Sequence, residues 1–522
     1  MLTRRDVLAS FLGASAAASC RSNRGEVLPP GEIIGAAVDT GHKLREFARI
    51  EPAQWEAHDV VIVGAGIAGL AAAWRLAQGG VRDVVLLELE PAIGGTSRSA
   101  QSMPWGAHYV IAPSDDDPVL RRLLEEMGIY EDGAIAEQFL CRDPQERLFY
   151  RGRWYEGLYL FAGAGAEDLR QLRAFEAEIA RWASWRDAKG RRAFTIPVAR
   201  ASDDAEVTAL DRVSMEEWMR ARGFTSPRLR WFVEYACRDD FGTLLADTSA
   251  WAGIFYFASR DAGGEERATV TWPEGNGRIV RHLAQFAPAR TGALVADIRP
   301  TETGTDVVVL HDGTASGIHA RRVIFAGPQF VAARVIAPWR EARPSHVDAF
   351  TYGSWMVANV ALRDRPAVSG FPLAWDNVLY ESPSLGYVVA THQQGIDRGP
   401  TVLTYYYALC GSDYTAERER LLATSRDEWA DVILTDLSRA HPDIRPLTER
   451  IDVMRWGHAM VRPAPGFVWS PSRRDAAQPY RAIHFANTDL SGLALCEEAL
   501  DHGVRAAEEV LVAMGVENAS WR

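Results

Sequence analysis

Apolar and polar positions change their period several times along the chain, and the clearest pattern lies near the start of the globular part. Residues 60–63, Val-Val-Ile-Val, are a short apolar run of the kind that forms a buried parallel strand. An alanine-rich segment with a helical pattern follows, and residues 84–87, Val-Val-Leu-Leu, form a second apolar run. This order predicts a strand, a helix and a second strand parallel to the first.

Three glycines lie in the turn between the first strand and the helix, at the spacing Gly64-x-Gly66-x-x-Gly69. Gly64 permits the tight turn, Gly66 removes a side chain where a pyrophosphate must approach the backbone, and Gly69 lets the helix pack close to the sheet. The first helical residues, Ile67 and Ala68, offer free N–H groups and the positive end of the helix dipole to phosphates. Such a spacing also occurs in a plain tight turn, so the flanking elements decide the interpretation.

Two further elements follow in the order that a dinucleotide site requires. Glu88 ends the second strand about 20 residues after the glycine turn, where a carboxylate can accept both ribose hydroxyls. A second glycine pair, Gly94-Gly95, comes shortly after Glu88 and is followed by Thr96 and Ser97. The second pair indicates FAD rather than NAD.

With these motifs the chain resembles the large flavoprotein family that includes amine oxidases, protoporphyrinogen oxidases and carotenoid desaturases. In that family the second glycine pair lies along the FAD pyrophosphate, which implies the same place for residues 94–97 here. Residues 483–492, followed by a helix, resemble the family's closing motif, and the resemblance implies that Asp489 lies near the ribityl chain and pyrophosphate. Residues 295–298 resemble the strand that touches the adenine, with the backbone of Val295 toward the ring.

The resemblance implies an α/β fold of the amine-oxidase type, with a Rossmann-like FAD-binding domain and an α+β substrate domain. The FAD-binding domain is expected to be discontinuous, over residues 58–130, 269–335 and 453–522. The two insertions, 131–268 and 336–452, are expected to form the substrate domain.

Local patterns in and near the insertions agree with this division. The first insertion has a helical pattern, and residues 214–217, Ser-Met-Glu-Glu, predict a capping box at a helix start. Pro118 predicts the first position of another helix. The second insertion carries strand-like runs at residues 355–362, 386–390 and 402–409. A sheet covered by helices would present one face toward the flavin.

Residues 1–20 have the features of an export signal and are not expected to belong to the fold. Arg4-Arg5 precede a short apolar run that cannot span a bilayer, an arrangement that resembles a Tat signal. The residues before Cys20 resemble a lipobox, so the protein is expected in the periplasm, either lipid-anchored through Cys20 or cut nearby without a lipid. Residues 21–57 are interpreted as a tether to the first strand.

Composition and charge exclude several functional classes. The chain of 522 residues is 47% hydrophobic and 24% charged, which is ordinary for a globular protein of two domains. A net charge of −12, without a basic stripe, argues against nucleic acid as a partner. No further segment is apolar enough for a transmembrane helix. No metal site or disulfide framework is expected, because no C-x-x-C pair occurs among Cys20, Cys141, Cys237, Cys410 and Cys496, of which the last four are expected to be buried.

The candidate catalytic residues are those expected to face the flavin, because the ring performs the redox step and the protein positions the substrate. By resemblance, Gly106 and Ala107 leave room for the ring, and His108 is a candidate proton carrier near neutral pH. His392, on a predicted strand of the substrate domain, and His458, before the closing motif, are further candidates. His458 falls where monoamine oxidases carry the cysteine bonded to FAD, and no cysteine stands there, so FAD is expected to be non-covalent. A structural role is the alternative for each histidine.

Two departures from the family's amine-oxidising members bear on the substrate. Those members often carry a lysine near flavin N5, and Val357 stands at that place here. The aromatic pair that flanks an amine substrate is also absent, since Ala459 and Leu495 fall near those positions. Tyr406, on the predicted strand 402–409, is a further candidate for lining the pocket. Both departures weaken a literal amine-oxidase assignment and leave the FAD site unaffected.

The sequence therefore predicts an FAD-dependent oxidoreductase that takes a hydride from an organic substrate, with an amine as the first candidate, and passes electrons to O₂ or another acceptor. One alternative is a desaturase or isomerase acting on an apolar, lipid-like substrate. Another is a non-catalytic flavoprotein that binds FAD and serves as a partner subunit. An open, lined pocket before the flavin favours an enzyme, whereas side chains packed on the ring favour the binding role.

Overall fold

The computed structural model describes residues 27–35, 37–45, 50–100, 103–261, 264, 266–516 and 520–522. The strands in this part of the chain are β1 (Ile33–Gly35), β2 (Trp55–Val63), β3 (Val84–Leu87), β4 (Ser99–Ala100), β5 (Met103–Pro104), β6 (Tyr109–Ile111), β7 (Tyr130–Glu131), β8 (Ala134–Ile135), β9 (Glu146–Tyr150), β10 (Arg153–Glu156), β11 (Thr269–Thr271), β12 (Ala289–Arg290), β13 (Leu294–Pro300), β14 (Thr305–His311), β15 (Thr314–Phe325), β16 (Tyr352–Leu362), β17 (Asp376–Leu379), β18 (Gly386–Val389), β19 (Thr401–Leu409), β20 (Thr448–Val461) and β21 (Ile483–Phe485). The α-helices are α1 (Val38–His42), α2 (Ile67–Gln78), α3 (Pro118–Glu126), α4 (Ala166–Ser184), α5 (Ala205–Ala209), α6 (Met215–Ala221), α7 (Pro227–Phe241), α8 (Ala250–Ala258), α9 (Gly277–Leu283), α10 (Gln329–Val335), α11 (Ala337–Glu341), α12 (Tyr414–Ala423), α13 (Arg426–Ser438), α14 (Ile444–Leu447), α15 (Pro471–Ala476) and α16 (Cys496–Ala513). The mixed α/β class expected from the sequence is confirmed.

A seven-stranded sheet carries the nucleotide-binding pattern. Its strands lie in the order β12-β3-β2-β15-β14-β13, and β21 pairs with β15. Strand β2 runs parallel to β3 and β15, while β13, β14 and β15 form an antiparallel meander. Val63 pairs with Leu87 on one side and with Phe325 on the other, so these three strands end at the same edge. The turns that follow them meet at this edge, where parallel sheets bind ligands.

Strand β2 begins five residues before the predicted apolar run. Its first half pairs with residues 317–320 of β15, and the Trp55 ring stacks on the His319 ring with 4.4 Å between centroids. Only residues 60–63 are fully buried, because the first half of the strand extends beyond the core. The hydrophobic pattern therefore revealed only the buried end of this strand.

The larger sheet has eight strands, in the order β1-β20-β16-β19-β18-β17-β9-β10. Its neighbours are antiparallel except for β1 with β20 and β17 with β9. Helix α13 packs on one face of this sheet. Helices α4, α6, α7 and α8 pack around a separate aromatic core beside it. The first insertion, predicted to be helical, thus supplies these helices and also β9 and β10, the last two strands at one end of the sheet.

The interpretation of residues 21–57 as a tether is corrected by the structure. Part of this segment pairs with the larger sheet. Ile33–Gly35 pairs in parallel with Val453–Arg455, and the Glu32 N–H donates to Asp452 Oδ1 at 3.0 Å. This short strand covers backbone groups of β20 that would otherwise lie at an open sheet edge. The expected domain boundary at residue 453 also shifts, because β20 continues to Val461 in the larger sheet.

Most predicted elements of the insertions are confirmed. Strands β16, β18 and β19 cover the runs predicted at residues 355–362, 386–390 and 402–409 to within a few residues. Ser214 Oγ accepts a hydrogen bond from the Glu217 N–H at 3.2 Å and completes the capping box of α6. Helix α3 begins at Pro118.

The expectation that four cysteines are buried holds for two of them. Cys141 and Cys237 are buried, as expected, whereas Cys410 and Cys496 are only partly buried, and all four are free thiols. Within the described ranges, no helix is long and apolar enough to cross a membrane. The twin arginines and Cys20 of the predicted signal lie outside the described residues.

Candidate active site

The glycine turn between β2 and α2 brings backbone close to backbone. Gly64 has a φ of +102°, in the left-handed region that favours glycine. A Cβ on Gly69 would lie 1.9 Å from the Gly64 carbonyl oxygen, so a side chain there would force α2 away from the turn. Gly66 precedes α2 without a side-chain cap, which leaves the N–H groups of the first turn, including those of Ile67 and Ala68, open to a ligand.

The second glycine pair packs against this turn. Gly94 and Gly95 have φ values of +112° and +55°, and the Gly94 N–H donates to the Ala65 carbonyl at 2.8 Å. A Cβ on Gly95 would lie 3.3 Å from the Gly66 Cα, so the two loops are in close contact. Gly95–Ser97, including Thr96, forms a short 3₁₀ helix beyond the pair. The predicted phosphate-binding loops are therefore adjacent.

Glu88 lies at the same edge, directly after β3, and is 8% exposed. Its Oε2 accepts from the Ala65 N–H at 2.7 Å and its Oε1 from the Glu90 N–H at 2.9 Å. Burial raises the pKa of the Glu88 carboxyl. The Ala293 N–H donates to the Glu88 carbonyl at 2.8 Å, which brings the start of β13, with the buried Val295, beside the carboxylate.

These features fit the adenosine and pyrophosphate half of FAD. The helix end and glycine loops form a cradle of bare backbone that a Cβ would fill. The Glu88 carboxylate is held in place by two backbone donors, and each oxygen keeps a further lone pair for a ribose hydroxyl. The structure thus brings together the cofactor-binding residues predicted from the two loops and from Glu88.

Asp489 contacts the first residue of α10, shortly after the end of β15. It is 2% exposed, and its Oδ2 accepts from the Gln329 N–H at 2.9 Å and from the Tyr352 hydroxyl at 2.5 Å. Burial raises the pKa of the Asp489 carboxyl to about 6. These contacts join the start of α10 to the larger sheet, and the ribityl role implied for Asp489 by resemblance stays a prediction.

A cavity of about 220 Å³ lies between the nucleotide-binding part and the larger sheet. Thr96, Gly106, Ala107 and His108 line it on one side. A Cβ on Gly106 would lie 2.1 Å from the Thr96 carbonyl oxygen, so the two segments that line this side are in direct contact. The cavity therefore adjoins the second glycine loop, where the resemblance expects the flavin.

His108 is 4% exposed, and burial lowers the pKa of its imidazole to about 4. It is therefore neutral at pH 7, which corrects the expected titration near neutral pH. His108 Nδ1 lies 3.1 Å from the Gly106 carbonyl and also contacts the Tyr406 hydroxyl. Because a carbonyl only accepts, a proton on Nδ1 satisfies this contact and leaves Nε2 as an acceptor. Nε2 has no hydrogen-bond partner among the described residues.

The other two candidate histidines do not line the cavity. His392 was expected on a strand, but it follows the end of β18, and its Nε2 bonds to the Arg142 carbonyl at 2.9 Å. The His458 ring stacks on the Phe330 ring at 4.3 Å between centroids, and burial lowers the pKa of His458 to about 3. Only His108 of the three is placed to meet a substrate.

The positions at which the chain departs from amine-oxidising members of the family all line the cavity: Val357, Ala459 and Leu495. Its aromatic walls come from other residues, namely Tyr109, Tyr235, Tyr256, Trp355, Trp375, Tyr406 and Trp456. Trp456 is fixed by a hydrogen bond from its Nε1 to the Trp105 carbonyl at 2.7 Å. Sequence reasoning found Tyr406 on its strand but had no signal for the other rings.

Carboxylates are the feature of the cavity that sequence reasoning missed. Six line it, and they come from segments far apart in the chain: Glu146, Asp239, Asp240, Glu266, Asp376 and Glu497. Arg260 is the one arginine in the lining, and it donates to both Asp240 oxygens at 2.8 Å. The lining is therefore strongly acidic and suits a cationic ligand.

Comparison with known proteins agrees with this geometry. A family described as flavin containing amine oxidoreductase matches residues 67–511. A putative flavin-containing monoamine oxidase, AofH, of Mycobacterium tuberculosis is 31% identical over 248 residues, which cover 45% of this chain and 49% of that protein. The chain thus spans about half the length of the curated relatives it matches.

Two solved structures share the fold. A putrescine oxidase bound to putrescine is 18% identical with a TM-score of 0.64, over 88% of this chain and 100% of that one. Cyclohexylamine oxidase from Brevibacterium oxydans is 18% identical with a TM-score of 0.63, over 88% of this chain and 99% of that one. At these identities the likeness shows the amine-oxidase-like fold alone.

Proposed function

The chain belongs to the flavin-containing amine oxidoreductase family, and from that premise we propose that it is an FAD-dependent oxidase of an amine. The observation that carries the proposal is the acidic, aromatic cavity that adjoins the predicted flavin site. An ammonium ion is attracted by carboxylates and by the faces of aromatic rings. The amine substrates named for the similar solved structures agree with this choice.

The residues of the two glycine loops and Glu88 would hold FAD by its pyrophosphate and ribose, and Gly106 and Ala107 would leave room for its ring. Bound FAD supplies the acceptor for the hydride that leaves the substrate. The protein's own part is to bind and orient the amine. His108 Nε2 can accept a hydrogen bond from a substrate N–H, and Tyr406 fixes the imidazole from the other side.

The absent lysine is compatible with this role. The chain contains two lysines, Lys43 and Lys189, and neither lines the cavity. Val357, at the expected lysine position, is 1% exposed and packs with Trp105 and Met454. The neutral His108, which lines the same cavity as Thr96 and Gly106, can then orient the amine without carrying a charge.

The alternative of an apolar, lipid-like substrate is disfavoured by the cavity lining. Carboxylates such as Asp239 and Asp376 would have to be desolvated against hydrocarbon, which is costly without a partner. The alternative of a non-catalytic subunit is disfavoured by the open volume of about 220 Å³, which leaves room for a small substrate.

Oxygen uptake tests the proposed activity. The purified holoenzyme, mixed with a panel of primary and secondary amines in air, is expected to consume one O₂ and release one H₂O₂ per amine oxidised. Catalase should halve the net uptake, because it returns half of the oxygen from the peroxide. If no amine supports uptake while another acceptor does, O₂ is not the acceptor.

His108→Ala is expected to retain FAD and to slow flavin reduction by the amine about 10-fold, since one hydrogen bond of about 1.5 kcal/mol is lost. The measurement is the anaerobic single-turnover reduction rate beside the flavin content. His392→Ala is the matched comparison and should keep the wild-type rate, because its Nε2 bonds to the Arg142 carbonyl outside the cavity. Equal rates for His108→Ala and the wild type would assign His108 a structural role.

We also propose export by the Tat route, supported by the Arg4-Arg5 pair and by a cofactor that is bound before export. Arg4→Lys with Arg5→Lys keeps the positive charge and should leave the protein in the cytoplasm, as measured by cell fractionation. Arg21→Lys with Arg24→Lys is the matched control. Continued export of the first variant would indicate the general secretory route.

Lipidation of Cys20 is tested by Cys20→Ser, which should release the exported protein from the membrane fraction.

A further inference from the structure

Five of the six cavity carboxylates form no ion pair within the described residues: Glu146, Asp239, Glu266, Asp376 and Glu497. The sixth, Asp240, is neutralised by Arg260. The Tyr235 hydroxyl donates to Asp376 Oδ2 at 3.1 Å. Glu146, Asp239 and Asp376 come from β9, α7 and β17, respectively. This set is called the acidic subsite below.

The three groups of the acidic subsite influence one another. Burial, followed by the charges of Asp239 and Glu146, raises the pKa of Asp376. Burial, followed by Glu266 and Asp239, raises the pKa of Glu146 to about 7. Asp376 and Glu146 are register partners on the paired strands β17 and β9, and Asp239 lines the same cavity, so the carboxylates converge on one region. A cation that entered this region would relieve their repulsion.

A second acceptor lies elsewhere in the same cavity. His108 is 4% exposed, and its Nε2 has no hydrogen-bond partner in the described part of the chain. The Trp375 ring lies edge-on to the His108 ring with 6.4 Å between centroids, and Asp376 follows Trp375 directly. The Trp375 ring therefore lies between His108 and the acidic subsite. This apolar surface suits the methylene chain of a ligand that has a nitrogen atom at each end.

We propose that the cavity takes a short aliphatic diamine, with one nitrogen at His108 and the other, as an ammonium ion, at the acidic subsite of Glu146, Asp239 and Asp376. This inference rests on the proposed amine oxidation and assigns its substrate class. The flavin ring at Gly106 and Ala107 would take part of the cavity of about 220 Å³, which limits the substrate to a short chain. The charge-assisted bonds that the distal ammonium makes to these carboxylates, one or two at a time, supply the preference over an amine with a single nitrogen.

Binding to the holoenzyme with its flavin reduced under anaerobic conditions tests the inference without turnover. Three probes share one chain length and differ only at the far end: pentylamine, 1,5-diaminopentane and 5-aminopentanoate. Calorimetry is expected to show that the diamine binds about 10- to 100-fold more tightly than pentylamine, as one or two charge-assisted bonds allow. The distal carboxylate of 5-aminopentanoate should be repelled, so that probe should bind most weakly.

Isosteric variants then assign the preference to the acidic subsite. Asp239→Asn, Asp376→Asn and Glu146→Gln should each weaken diamine binding about 10-fold and change pentylamine binding less than about 2-fold. Glu137→Gln, at an exposed carboxylate outside the cavity, is the matched control and should change neither. Unchanged pentylamine binding also shows that a variant is folded.

The outcomes separate this inference from the proposed function. If the wild type binds pentylamine and the diamine equally, or if the three variants weaken both alike, the acidic subsite is wrong while amine oxidation stands. If neither amine binds nor reduces the flavin, the proposed function itself fails.

Discussion

Glu88→Ala is expected to lose most of its FAD on purification and to bind added FAD about 10²- to 10⁴-fold more weakly than the wild type. The change removes a charged acceptor for two ribose hydroxyls, at about 1.5–3 kcal/mol for each bond. Glu88 is also held by the Ala65 and Glu90 N–H groups, so the acceptor is fixed before the ligand arrives. The measurement is fluorescence titration of the apoprotein with FAD.

Asp83→Ala is the matched control for this prediction. Asp83 lies just before β3, at the end of the strand opposite to Glu88, and contacts His58. The Asp83→Ala variant should therefore retain FAD affinity, although it changes a residue next to the same strand. Wild-type affinity in Glu88→Ala would contradict the ribose role, whereas a loss in both variants would indicate a damaged sheet.

Glu498→Gln is expected to become more stable relative to the wild type as the pH rises. Glu498 is 1% exposed, its Oε1 accepts from the Val198 N–H at 2.7 Å, and burial raises the pKa of its carboxyl to about 8. The pKa of Glu498 is higher in the folded protein than in the unfolded chain. The free energy of unfolding of the wild type therefore falls from about pH 4.5 to about pH 8, by about 1.4 kcal/mol per pH unit. The glutamine keeps the acceptor without this loss.

Urea unfolding in saturating FAD at pH 5.5 and pH 7.5 measures this effect. The difference between the variant and the wild type should grow by about 2–3 kcal/mol between the two pH values. Glu137→Gln, at an exposed carboxylate, is the control and should give no such change. A pH-independent difference for Glu498→Gln would mean that Glu498 is ionised in the folded protein.

The nucleotide-binding edge was predictable because its information is local. Gly64, Gly69 and Glu88 lie within one βαβ unit, and each is required by a backbone conformation, a close approach or a strand end. Local patterns also predicted β16, β18 and β19 of the second insertion, whereas β17 was missed. Polar strand halves and short edge strands, such as residues 55–59 and Ile33–Gly35, lacked an apolar period and were missed.

The substrate cavity depends on contacts that no local pattern encodes. Glu146, Asp239 and Asp376 are far apart in sequence. The pairing of β9 with β17 places Glu146 opposite Asp376, and α7 adds Asp239 to the same cavity lining. The position of His392 was wrong for a related reason, because β18 ends three residues earlier and the side chain bonds to Arg142 instead. His108 could be placed because its segment follows the second glycine loop.

Anaerobic reduction of the enzyme-bound flavin by amines tests the central claim most directly. The holoenzyme is mixed with each amine of the panel in the absence of O₂, and the visible absorbance of the flavin is followed in time. Amine oxidation predicts full bleaching with one equivalent of a substrate amine and formation of one carbonyl product per flavin. A flavin that stays oxidised with every amine, but is reduced by a polyene or by no organic compound, would contradict the proposed function.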